Sequence, residues 1–229
     1  MMNIFCGMEK LSLVDFDSHL ACTLFTGGCN YRCPFCHNSP LIRMQAPLEL
    51  EEIIKFLNAR KKMLDAVVIT GGEPTLHLVL PEVIKKIKEL GYKIKLDTNG
   101  TNPTMLKELI DNKLIDYVAM DIKTQLNKYQ IVTGVNDPLL EKVKESINIL
   151  KTSGIDYEFR TTLVKEYHTE KDIYEIKELL LGAKKLFLQK FILRETCINQ
   201  NLHEIDKDTA NRYKTILEST IDQVNLRGY

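Results

Sequence analysis

Short apolar runs alternate with amphipathic stretches along most of this 229-residue chain. Runs at residues 20–26, 66–70, 93–97, 117–122, 156–164 and 185–191 have the length and apolar content of buried strands. Between them, residues 50–61, 80–90 and 139–151 carry apolar side chains at three-to-four spacing, the signature of helices with one buried face. Gly91 and Gly154 stand where helices end on a glycine. Strand–helix alternation predicts right-handed βαβ units and a parallel sheet. Six units are readable, against eight in a closed TIM barrel, so the predicted fold is α/β: a partial (β/α)6 TIM-like barrel with an open lateral side. A doubly wound sheet is the alternative, but the glycine-rich G-x-G-x-x-G turn of dinucleotide folds is missing. Residues 206–225 read as one last amphipathic helix. With no repeat or linker, residues 1–229 are taken as a single domain, with a core over about 18–195.

Composition changes this picture little. Hydrophobic residues make up 44% and charged residues 27%, as in ordinary globular chains. Lys plus Arg balance Asp plus Glu at 31 each, so binding of nucleic acid through its phosphates is disfavoured. Neither a signal-like N-terminus nor a membrane-length apolar run is present, and a cytoplasmic location is expected. In that reducing setting, the six cysteines are ligands or buried thiols rather than disulfides.

Three of those cysteines fall in Thr26-Gly27-Gly28-Cys29-Asn30-Tyr31-Arg32-Cys33-Pro34-Phe35-Cys36-His37, directly after the first predicted strand. Barrel active sites gather at that end of the strands. A C-x3-C-x2-C loop can bind three corners of one 4Fe–4S cluster and leave the fourth iron open, since four thiolates normally complete the set. A zinc site of the three cysteines with His37 is the alternative, although adjacent Cys36 and His37 make joint tetrahedral ligation awkward. Cys22 lies within a strand as a core thiol, and Cys6 and Cys197 lack C-x2-C pairing.

Further candidates end the later strands. Gly71-Gly72-Glu73-Pro74 follows the second, with glycines that permit close backbone approach and a carboxylate. Asp97-Thr98-Asn99 ends the third, and Asp121 with Lys123 the fourth. Arg160 interrupts an apolar strand and must be paired or face a ligand, because burying it alone is costly. His168 reads as a surface residue, Gln189 as a rim residue, and Leu226-Arg227-Gly228-Tyr229 as a tail.

The cysteine loop resembles the signature of the radical S-adenosylmethionine (SAM) superfamily. Together with Gly-Gly-Glu-Pro, KLDTNGTNP, DYVAMDIK and EFRTTLV, it is similar to the activating proteins of anaerobic ribonucleoside-triphosphate reductase, from about Gly7 to Cys197. The resemblance implies one 4Fe–4S cluster on Cys29, Cys33 and Cys36, with SAM chelated at the open iron and Phe35 beside its adenine. It places the Gly71–Pro74 segment at the SAM ammonium, and a monovalent cation on Asp97, Thr98 and Asp121. Asn99, Lys123 and Arg160 join the SAM site. The implied reaction is reductive cleavage of SAM to a 5′-deoxyadenosyl radical, which takes a hydrogen from a glycine Cα. The implied partners are an anaerobic ribonucleotide reductase or other glycyl radical enzyme and a flavodoxin- or ferredoxin-type electron donor. Rival readings are a radical SAM enzyme acting on a small metabolite or tRNA nucleoside, and a zinc-binding scaffold.

Overall fold

The computed structural model describes residues 3–43 and 48–229. Eight strands form one sheet in sequence order: β1 (Phe5–Ser12), β2 (Ala21–Thr26), β3 (Ala66–Gly71), β4 (Lys93–Thr98), β5 (Tyr117–Asp121), β6 (Asp156–Leu163), β7 (Lys185–Lys190) and β8 (Gln223–Arg227). The α-helices are α1 (Leu50–Arg60), α2 (Leu80–Lys88), α3 (Pro103–Asp111), α4 (Tyr129–Thr133), α5 (Leu140–Thr152), α6 (Glu170–Leu179) and α7 (Lys207–Leu217). Strands β2 to β8 pair in parallel, whereas β1 pairs antiparallel with β2. The sheet ends on β1 and β8 without closing, so the barrel is open at the side.

All six predicted strands are present as β2 to β7, within two residues of their expected ends. Two further strands correct the six-unit reading. The C-terminal segment is a helix only to Leu217, after which β8 adds a seventh parallel strand along β7. The Leu226–Tyr229 tail therefore begins inside the sheet. Strand β1 escapes an apolar pattern because an edge strand with exposed residues at Glu9–Leu11 buries little of itself.

Period-two alternation sorts the strands into two faces. Leu24, Ile69, Leu96, Met120, Phe159 and Leu188 join the large core under the helices. Helix α2 shows the matching face, burying Leu80, Val83, Ile84 and Ile87 at i, i+3, i+4 and i+7 while Lys85, Lys86 and Lys88 crowd its last turn. The inner face carries Lys95 and Asp97 on β4, Asp121 on β5, Glu158 and Arg160 on β6 and Arg227 on β8, which meet one another across strands. A barrel filled by apolar layers would be a packed core. This interior is polar and ion-paired, leaving room for a ligand. At the N-terminal ends of the strands, Phe16 packs on Ala21, Ala66, Val68 and Tyr117 and stoppers the barrel from below.

Candidate active site

A cavity of about 620 Å³ opens at the C-terminal ends of the strands, within the size range of small-molecule sites. Cys29, Cys33, Phe35, Cys36, Gly71, Gly72, Glu73, Asp97, Thr98, Asn99, Asp121, Lys123 and Arg160 all line it. Among the predicted site residues, Pro74 alone stands outside, where it begins the short 3-10 turn Pro74–Leu76. Gln189 also lines the cavity, with Asp15, Thr23, Tyr31, Thr162 and Arg194, which sequence reasoning passed over. The strict alternation of charged and apolar residues in Lys-Ile-Lys-Leu-Asp and Glu-Phe-Arg-Thr-Thr was the available signal for a polar inner face.

Backbone hydrogen bonds hold the cysteine loop on several sides. Gly28 N–H donates to Leu41 O at 2.8 Å, Arg32 N–H to Thr133 O at 2.7 Å, and Asn199 N–H to Pro34 O at 2.9 Å. Tyr31 donates its hydroxyl to Pro138 O at 2.7 Å, and Asn30 bridges to Asn99 and Thr101 at 2.9 Å. Within the loop, Tyr31 N–H also lies 3.4 Å from Cys29 Sγ, but the bonds that anchor the loop to the rest of the protein use none of its own cysteine sulfurs. Burial pushes the Cys29 thiol up to about 11 and Cys33 to about 12, and raises Cys36, while the Lys123 charge pulls all three back. A metal bound here would have to displace those protons. Cys22 is buried in the outer core, and Cys197 sits behind Phe35 with its sulfur 3.9 Å from the Phe35 carbonyl.

Three soft thiolates on one cavity wall suit an iron–sulfur cluster. The zinc alternative lacks a preformed site. His37 Nε2 donates to Ile192 O at 2.7 Å, and burial lowers the ring's pKa. No group of three His, Cys, Asp or Glu side chains among the described residues is arranged to hold a single metal ion.

The two glycines face protein as well as cavity. A Cβ on Gly71, whose φ is +113°, would meet Thr26 N at 2.5 Å, and one on Gly72 would meet Gly28 O at 1.9 Å. Their absence of side chains lets Gly72 N–H reach Thr26 O at 2.9 Å and Glu73 N–H reach Gly28 O at 2.8 Å, locking the end of β3 to the cysteine loop. Glu73, only 1% exposed, accepts from Thr98 Oγ1 at 2.7 Å, Asn99 N at 2.6 Å, and both Thr75 N and Oγ1. Burial raises its pKa although those donors oppose the shift. The carboxylate is a rivet between β3 and β4 at the cavity wall. Thr98→Val, which removes one donor to a carboxylate while keeping shape, is expected to cost about 1.5–3 kcal/mol in urea unfolding; an unchanged midpoint would show that the bond contributes nothing.

Arg160 is paired, as its cost of burial requires. Its Nη1 donates to Asp97 Oδ2 and its Nε to Asp121 Oδ1, each at 3.1 Å. Lys123 Nζ donates to Asp121 Oδ2 at 2.8 Å, and Lys95 Nζ stands 3.9 Å from Asp97 Oδ1. Burial opposes the charges of Asp121, Lys123 and Arg160, yet the partners prevail: Lys123 and Arg160 hold Asp121 below its ordinary range, and the acids hold both cations above theirs. The monovalent cation expected on Asp97, Thr98 and Asp121 does not fit this arrangement. The Thr98 hydroxyl donates to Glu73 and accepts from Gly100 N–H, and both carboxylates are already met by cations. Asp97 Oδ1 accepts no hydrogen bond, but an added ion about 4 Å from Lys95 or Arg160 would meet roughly 4 kcal/mol of repulsion from each at an effective dielectric near 20.

His168 corrects its expected surface position. It is 2% exposed and bridges two strand ends. Its Nδ1 lies 3.0 Å from Val164 N and 3.1 Å from Val164 O, and its Nε2 lies 3.0 Å from Lys123 O. Burial lowers the ring's pKa, against the carbonyls of Val164 and Lys123. Arg227 likewise leaves the role of a tail, reaching Glu158 Oε1 at 3.3 Å and stacking 3.8 Å over the Phe187 ring.

Residues 23–180 match the Radical SAM superfamily, from β2 through α6. The chain belongs to the radical SAM superfamily. It is 36% identical over 193 residues to a Methanocaldococcus jannaschii protein whose name assigns it, provisionally, to the glycyl-radical enzyme activating enzymes; the match covers 81% of this chain and 78% of that one. It is 30% identical over 130 residues to a Pyrococcus horikoshii protein provisionally named a GTP 3′,8-cyclase, covering 54% of this chain and 41% of the relative. Among solved structures, TYW1 with a lysine-pyruvate adduct superimposes with a TM-score of 0.64 at 19% identity, covering 87% of this chain and 73% of that one, which shows the shared fold. As members of this superfamily use a 4Fe–4S cluster and SAM, those cofactors follow from the family. No described helix is long and apolar enough to cross a membrane.

Proposed function

We propose that this radical SAM enzyme is a glycyl-radical-enzyme activase whose partner is an anaerobic ribonucleotide reductase. The supporting observation is coverage: similarity to the M. jannaschii relative runs over 81% of this chain and 78% of that one, whereas the GTP cyclase matches cover 54% and 70% of this chain and only 41% and 51% of theirs. The cyclase match favours a second reading, a small purine-like substrate, which the test below separates.

Cys29, Cys33 and Cys36 would hold the cluster, whose chemistry with SAM supplies a 5′-deoxyadenosyl radical. The chain's own residues bind, orient and exclude water. Phe35 lines the cavity as an apolar face for the adenine, with the Tyr167 ring centroid 6.2 Å behind it. The Gly71–Glu73 backbone and Asn99 form the wall for the methionine end, held rigid by the Glu73 rivet. Lys123 and Arg160 present positive charge suited to the SAM carboxylate, and Asp97 Oδ1 keeps a free lone pair. The open side of the barrel would admit a glycine loop from a larger partner, with a ferredoxin- or flavodoxin-type donor supplying the electron.

The test is anaerobic reconstitution with iron and sulfide, then reduction with SAM in the presence of a candidate reductase. Release of 5′-deoxyadenosine with a glycyl-radical doublet in electron paramagnetic resonance is expected. SAM cleavage with no doublet, and with turnover of GTP instead, would move the chain to the small-substrate reading.

A further inference from the structure

We propose that the guanidinium of Arg160 is the built-in cation of the SAM site, so that SAM binds to this enzyme without sodium or potassium. The inference rests on the SAM-binding reading of the cavity but on no particular partner. Arg160 reaches from β6 across β5 to β4, donating to Asp121 and Asp97 in one span. Those two carboxylates end neighbouring parallel strands and line the cavity. Without a cation between them they would repel each other and the SAM carboxylate. A guanidinium fixed to the sheet meets both acids through a planar set of donors and keeps its charge at every working pH. Lys123 covers the remaining Asp121 oxygen, and Lys95 approaches the remaining Asp97 oxygen. Thr98, the third member of the expected ion site, has its hydroxyl donating to Glu73 and accepting from Gly100 N–H. These side chains thus fill the electrostatic role of the ion with covalently held cations. Arg160 acts here as a positioning residue, setting the charge and spacing of Asp97 and Asp121.

The cluster-loaded wild-type protein is to be compared in potassium, sodium and choline chloride at equal ionic strength, reading SAM affinity by equilibrium binding and Tm in the absence of SAM. Arg160→Ala and Arg160→Gln are measured in the same salts. Equal wild-type affinities within about twofold, with equal Tm values, are expected. In Arg160→Ala, potassium or sodium should raise Tm and recover SAM affinity by about fivefold or more over choline, because the acid pair then has room and need for an ion. A wild-type affinity that drops about tenfold in choline would overturn the proposal, since an exchangeable ion would then be required. Equal indifference of Arg160→Ala to the three salts would also overturn it, by showing that the acids need no cation. If both variants fail to fold in every salt, the wild-type comparison decides. Loss of SAM binding in all salts by well-folded, cluster-loaded wild-type protein would count instead against the cavity as the SAM site.

Discussion

Cys33→Ala is expected to abolish reductive cleavage of SAM, lowering 5′-deoxyadenosine release by about a thousandfold or more, a rise of roughly 4 kcal/mol in the barrier. Alanine offers no ligand, and two thiolates cannot fix a cluster that needs three corners held and one left open. Iron and sulfide per chain should fall with the activity, and the reduced-cluster signal should vanish. The fold should survive. Gly28, Arg32 and Pro34 anchor the loop through backbone atoms, and Tyr31 through its hydroxyl, so the sulfur is not what shapes it. Loss of one buried sulfur should cost about 1 kcal/mol. Cys22→Ala is the control, because Cys22 packs in the outer core away from the cavity and should leave iron content unchanged. If Cys33→Ala released 5′-deoxyadenosine at the parent rate, the assignment of the cluster to this loop would fail.

Glu73→Ala is expected to weaken both the protein and its hold on SAM. The substitution strips the acceptor from Thr75 N, Thr75 Oγ1, Thr98 Oγ1 and Asn99 N in a site closed to water. The hydroxyls can turn elsewhere, but the two backbone donors cannot. Removing one side of a buried charged network costs about 3–5 kcal/mol. For a chain of this length that corresponds to roughly 6–20 °C in Tm. SAM affinity should fall with it, as Asn99 and Gly72 on the cavity wall lose their fixed spacing. Glu73→Gln keeps one acceptor and should fall between the two. A protein with unchanged Tm but lost SAM affinity would show that the carboxylate acts on the ligand directly, not as a rivet.

Much of the molecule was legible along the chain. Strands β2 to β7 announced themselves because strands covered by helices on one side retain apolar residues, and α2 because a face of Leu80, Val83, Ile84 and Ile87 has a period only a helix satisfies. The grouping of Cys29, Cys33 and Cys36 on one cavity wall was legible because the three lie close in sequence. Strand β8 was not. Its five residues follow a helix of similar apolar content, and only pairing with β7 makes Gln223–Arg227 extended. The same holds for His168, whose partners Val164 and Lys123 sit on two different strand ends.

What the amino-acid sequence determined by itself was therefore the alternation of elements and the chemistry of the rim, since periodicity and ligand spacing are local properties. What the tertiary structure alone decided was how each rim side chain is employed. Glu73 is turned inward to hold β3 to β4, Gly71 and Gly72 yield space to Thr26 and Gly28, and Arg160 spans from β6 to the acids of β4 and β5. Each of these depends on which strand ends the sheet brings within about 3 Å of one another, the reach of a hydrogen bond. Strand neighbours far apart along the chain set that distance, and no local pattern encodes it.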